Sequence, residues 1–143
     1  AVFDHATEGH KLAEELAARG IPVVLGPSFS ARSKVELREL DPRTPGILAR
    51  AGVTVAIMSD HPASPNRYLN VYAGLSVREG MPDEEALRAI TLNAARILDV
   101  ADRLGSLDPG KEADLAVFNA HPFELRAKTV MTLVRGELAF DAR

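Results

Sequence analysis

The chain has 143 residues, 46% of them hydrophobic, and a formal net charge of -3. That is about one domain's length with an ordinary globular composition, and it has no basic footprint of the kind that marks a nucleic-acid partner. Cysteine is absent, which excludes disulfides and thiolate zinc sites and fits a reducing cytoplasm, and no apolar run approaches the roughly 20 residues of a membrane span. The first residue is Ala1 rather than Met, which points to a processed, trimmed or partial chain.

Taken in chain order, Ala1, Val2 and Phe3 are a short apolar strand, followed at once by Asp4 and His5. Thr7 is placed to cap a helix, with Glu8 in its first turn where the dipole favours negative charge. Leu12, Ala13, Leu16 and Ala17 supply the buried stripe and Gly20 the stop. Residues 21–25 then read as a second buried strand, ended by Gly26-Pro27. Strand, helix and strand within about 25 residues form a βαβ unit, whose strands run parallel. His5 therefore stands at the C-terminal tip of the first strand, where it is either a structural histidine or part of a site. His10, inside the helix start, reads as solvated or packing.

Residues 26–52 are longer than a simple crossover. Ser33 and Glu36 have capping-box spacing for a short helix through Leu37 and Leu40. Thr44-Pro45 opens another helix that packs Ile47, Leu48 and Ala51 and closes at Gly52. An elaborated loop on this edge is a usual place for substrate contacts. Arg32 and Lys34 are candidates to meet an anionic substrate group, the alternative being a solvated basic loop.

Residues 53–58 are a continuous apolar, β-branched run, the pattern of a parallel strand buried on both faces. Polarity changes abruptly at Ser59, Asp60 and His61, and Pro62 stops regular pairing. A carboxylate and an imidazole at the C-terminal tip of such a strand sit where α/β folds keep their active sites. The same residues also read as a turn in which Asp60 caps the loop backbone and His61 is merely exposed.

Residues 68–77 form a mostly apolar helix ended by Gly80. Pro82 with Asp83, Glu84 and Glu85 starts the next one, whose core face is Leu87, Ile90, Thr91, Ala94, Ile97 and Leu98. Asn93 is placed for a buried hydrogen bond. Residues 104–111 are turn chemistry, residues 114–118 a strand, and residues 130–134 and 138–140 a hairpin about Arg135-Gly136-Glu137. His121, before Pro122, reads as structural. No strand is followed by a glycine-rich phosphate loop, which argues against a nucleotide-binding fold.

Four segments carry a resemblance: Asp4-His5-Ala6-Thr7-Glu8-Gly9; residues 52–62 with their Ser59-Asp60-His61-Pro62 end; residues 86–98; and Gly105-Ser106-Leu107-Asp108-Pro109-Gly110-Lys111-Glu112-Ala113-Asp114-Leu115. Together they resemble the C-terminal part of the metal-dependent amidohydrolases, in the group related to imidazolonepropionases and dipeptidases, and the last segment is the most specific. The resemblance implies an α/β fold: the last three strand-helix units of a (β/α)8 TIM barrel, residues 1–101, plus the C-terminal part of a small β-sandwich, residues 102–143. By the same resemblance His5 matches the histidine after barrel strand six. Asp60 matches the aspartate after strand eight, which binds metal and acts as base on the hydrolytic water. His61 adds a ligand or a substrate contact. The His-x-His pair after strand one, the lysine or glutamate after strand four and the histidine after strand five have no counterpart here. A full barrel needs about 250 residues, so the chain reads as a fragment that pairs with its missing N-terminal half or with copies of itself.

The implied activity is hydrolysis of a small-molecule amide or cyclic amide with a divalent metal, zinc by expectation, lowering the pKa of its bound water to about 7. A catalytic zinc normally keeps three protein ligands, and His5 and Asp60 are only two. The alternative from another class is a non-catalytic α/β binding or scaffold domain, with no nucleic-acid or membrane partner in either case.

Overall fold

A computed structural model of the chain describes residues 1–27 and 34–142. Three short strands, β1 (Phe3–Asp4), β2 (Val23–Leu25) and β3 (Val55–Ile57), form a parallel sheet in the order β1-β2-β3. Val23 pairs with Phe3 on one side and Val55 on the other, and Leu25 pairs with Ile57. All three residues of β3 are buried, as a strand covered on both faces requires. One crossover carries α1 (Ala13–Ala18) and the next carries α2 (Thr44–Arg50); α3 (Leu69–Arg78), α4 (Asp83–Ala89) and α5 (Leu92–Ile97) follow β3. One core cluster joins Leu16 of α1, Leu48 of α2, Ala73 of α3 and Ala86 and Ala89 of α4 to Val23, Leu25, Val55 and Ile57.

The first crossover helix differs from expectation. A 3-10 turn over Gly9–Leu12 precedes α1, and Thr7 does not cap it. The Thr7 hydroxyl instead donates to the Glu36 carbonyl 3.1 Å away, tying the tip of β1 to the loop that follows β2. Leu12 consequently turns outward and is half exposed, while Ala13 and Leu16 remain buried. The expected helix through Leu37 and Leu40 is only a 3-10 turn, Val35–Leu37, with no side-chain cap; Ser33 lies outside the described residues.

The single helix expected after Pro82 is two. The backbone leaves helical geometry at Thr91, with φ -136° and ψ -97°, and the Thr91 hydroxyl donates to the Leu87 carbonyl at 2.7 Å. The break resets the helical phase, so the stripe from Leu87 to Leu98 does not face one way. Leu87 and Leu98 are exposed, and the buried positions are Ala86, Ala89, Asn93 and Ala95. Small residues allow the helix backbone to approach the core closely, which a stripe of leucines would prevent. Asn93 is 4% exposed and donates from Nδ2 to the Val55 carbonyl at 3.0 Å, anchoring α5 to β3.

The remaining strands, β4 (Leu115–Phe118), β5 (Thr129–Val134) and β6 (Glu137–Asp141), form an antiparallel sheet in chain order. The β5-β6 turn places Arg135 and Gly136 at φ 53° and 81°, the left-handed pair of a two-residue hairpin. The Arg135 amide donates to Asp114 Oδ1 at 2.7 Å, which gives the aspartate of the Ala-Asp-Leu segment its role. In the same motif Lys111 Nζ donates to the Ala101 carbonyl and the Ser106 hydroxyl, both at 2.6 Å. Gly105 adopts φ +89°, and a Cβ there would meet the Ala95 Cβ at 2.7 Å. The segment is thus a latch between α5 and the second sheet. The β4-β5 loop docks on the helices: Asn70 Nδ2 donates to the Pro122 carbonyl at 2.7 Å, and Phe123 packs against the core cluster. His121 is structural, as expected; its Nε2 is 3.5 Å from Asp83 Oδ2 and its ring meets Phe123 edge to face.

Replacing Asn93 by Ala leaves a buried carbonyl without its partner. Chemical denaturation of Asn93→Ala is expected to show a loss of about 1–3 kcal/mol at unchanged slope. A loss below about 0.5 kcal/mol would mean that the bond does not anchor β3.

Candidate functional site

The parallel register decides what meets at the rim. Extending the pairs Phe3–Val23 and Val23–Val55 by two residues puts His5 level with Leu25 and Ile57. Asp60 lies three residues further along its strand, and β2 stands between the two. Two features close the gap. Both His5 and Asp60 take left-handed backbone, φ 52° and 54°, which is uncommon for residues other than glycine and turns each chain sharply at the strand tip. Directly after β2 comes Gly26, with φ +149°; a Cβ there would lie 1.9 Å from the Met58 carbonyl oxygen. Gly26 therefore adds no side chain at this edge.

The result is a contact of 3.6 Å between His5 Nε2 and Asp60 Oδ2, both side chains about half exposed (49% and 46%). On its other side His5 meets its own neighbour. Its Nδ1 is 3.1 Å from Asp4 Oδ2, and its amide donates to Asp4 Oδ1 at 3.0 Å. Sequence reasoning had no use for Asp4; the signal was its place directly before His5 at a strand end.

His5 and Asp60 line a cleft of about 490 Å³ together with Thr7, Leu25, Gly26, Pro27, Lys34, Glu36, Leu37, Leu40, Asp41, Thr44, Pro45 and Ala63. Its far wall is therefore the elaborated segment after β2. Asp41 and Arg43 stiffen that wall. Arg43 Nη2 donates to Asp41 Oδ2 at 2.7 Å, and the Arg43 amide donates to Asp41 Oδ1 at 2.9 Å. His10 joins the same wall to the first crossover, its Nδ1 2.9 Å from the Thr44 hydroxyl.

Of the other expected residues, Lys34 lines the cleft, whereas His61 is exposed and is not among the lining residues. Arg32 lies outside the described residues. Among the described residues no group of three or more His, Cys, Asp or Glu side chains is gathered to hold a metal ion. None of their helices is long and apolar enough to cross a membrane.

The amidohydrolase family model matches residues 36–140. An imidazolonepropionase of Geobacillus kaustophilus strain HTA426 is 44% identical over 75 residues, 50% of this chain and 18% of that protein. Among solved structures, an amidohydrolase from Thermotoga maritima MSB8 superposes with a TM-score of 0.94 at 39% identity, covering 98% of this chain and 37% of that one. An adenosine deaminase from Xanthomonas campestris, solved with bound zinc, gives a TM-score of 0.72 at 26% identity, covering 99% of this chain and 37% of that one. The parallel and antiparallel sheets and these matches define a mixed α/β chain with the fold of the amidohydrolases. It belongs to the amidohydrolase family, in the imidazolonepropionase-related group. It spans well under half the length of these relatives.

The Arg43 guanidinium lowers the Asp41 pKa from an ordinary 3.8 to about 2. A depressed carboxylate stabilises the fold above its unfolded pKa and loses that contribution as pH falls through the folded one. The support of this wall is therefore complete above about 4 and is lost between there and about 2. In Arg43→Gln the Asp41 carboxyl, followed by carbon-13 NMR, is expected to titrate nearer 3.8. An unmoved midpoint would remove Arg43 as the cause.

Proposed function

We propose that the chain is the C-terminal part of a metal-dependent hydrolase acting on the carbon–nitrogen bond of a small amide or cyclic amide. In this reading residues 1–101 are the last three strand-helix units of a (β/α)8 barrel and residues 102–143 its share of a small β-sandwich. The 3.6 Å approach of His5 to Asp60 at one rim carries the proposal. It is supported by the family membership and by the zinc found in a relative of the same fold.

The donor set suits a divalent cation in kind but not in number. An imidazole and a carboxylate are usual zinc ligands, and a catalytic zinc normally has three protein ligands. The remaining ligands then come from the preceding part of a longer polypeptide or from another copy, which would also cover β1 and β3, the outer strands of the parallel sheet. When bound, such a cation supplies Lewis acidity and an acidified water.

The chain's own residues perform the rest. His5 offers a ring nitrogen to the cleft. Asp60, partly exposed and facing the same space, takes a proton at a carboxylate oxygen and returns it to the departing nitrogen. The wall from Lys34 to Thr44 confines the substrate, with Lys34 assigned to its polar groups.

Zinc titration by competition with a chromophoric chelator tests this reading in the full encoded protein. Wild type is expected to take up zinc, and His5→Ala and Asp60→Asn to lose it by at least about tenfold. The 143-residue chain alone should turn over no amide above the blank. Equal zinc uptake by all three proteins would favour a scaffold instead.

A further inference from the structure

His5 lies between two carboxylates, and they hold it unequally. Asp60 Oδ2 stands 3.6 Å from Nε2, whereas Asp4 Oδ2 makes the closer ion-pair approach, 3.1 Å from Nδ1. Asp4 also takes the His5 amide hydrogen on its other oxygen at 3.0 Å. One carboxylate therefore holds the backbone of its successor by a hydrogen bond and lies against its ring, at a residue whose φ of 52° needs such support.

We propose that Asp4 is the positioning residue of the site: it fixes the neutral His5 ring with its hydrogen on Nδ1 and turns the Nε2 lone pair into the cleft. A carboxylate is an acceptor only, so the nearer ring nitrogen carries the hydrogen. A neutral imidazole has one N–H, and giving it to Asp4 leaves Nε2 free as a donor of electrons beside Asp60. The amide bond to Oδ1 keeps the carboxylate from rotating away, so the ring is oriented before any ligand arrives. Histidines that hold metals are commonly fixed by an outer carboxylate in this manner. The inference rests on the reading of His5 as a ligand, and Asp4 itself touches neither substrate nor cation.

The test is the ring tautomer, read without any metal. The full encoded protein is labelled with nitrogen-15 histidine, stripped with a chelator and recorded in long-range proton–nitrogen correlation spectra at a pH where the ring is neutral. His5 is assigned by its loss in His5→Gln. Wild type and Asp60→Asn are expected to show the Nδ1–H pattern. Asp4→Ala should move toward Nε2–H, and Asp4→Asn, which keeps an acceptor oxygen, should move less. An Nε2–H pattern in wild type, or an unchanged pattern in a folded Asp4→Ala, would overturn the proposal. If Asp4→Ala fails to fold, Asp4→Val, which suits a strand and also lacks an acceptor, takes its place, and an unchanged Nδ1–H pattern there would overturn the proposal. Zinc affinity should fall by about 10–100-fold in Asp4→Ala. A wild type that takes up no zinc but shows Nδ1–H would defeat the hydrolase reading and leave this one standing.

Discussion

The architecture depends on the parallel pairing of three very short strands. β1, β2 and β3 contribute two, three and three residues, and their parallel register sets His5 level with Leu25 and Ile57 at one rim. Adjacent strands lie about 4.8 Å apart, so β1 and β3 are separated by roughly 9.6 Å. A histidine and an aspartate beyond their tips come within 3.6 Å where both chains turn through left-handed backbone, with Gly26 directly after β2. Left-handed backbone of this kind is uncommon outside glycine, and Asp99 and Arg135 adopt it as well.

Everything else supports that rim from below or behind. The core beneath it is built from aliphatic strand residues and alanine-lined helices, and α5 is fixed to β3 by the Asn93 side chain. The second sheet is attached by two unrelated devices, the Lys111 latch behind α5 and the β4-β5 loop on α3. In front of the rim, Thr7, His10 and the Asp41–Arg43 pair brace one cleft wall against the other.

The strands were legible in the sequence because apolar β-branched runs bounded by polar tips have few other readings. His5 and Asp60 followed from topology: residues that end parallel neighbours share an edge. What was not legible involves competition between side chains and backbone. Thr7 looked like a cap and instead bonds the Glu36 carbonyl, a partner 29 positions away. The periodicity through residues 87–98 fitted one helix, but the hydroxyl of Thr91 bonds the Leu87 carbonyl at a point where the chain breaks. Asp4 was passed over because its contacts, with the amide and the ring of the residue beside it, follow from local backbone geometry that no spacing pattern reveals.

The meeting of His5 and Asp60 at one edge is most directly tested by proximity cross-linking, made clean by the absence of native cysteine. His5→Cys is paired with Asp60→Cys in one variant and with Gly52→Cys, before β3 at the opposite edge, in another. A short bifunctional thiol reagent should join the first pair within one chain and leave the second unjoined. Joining only the second pair, or neither in the folded protein, would contradict the account.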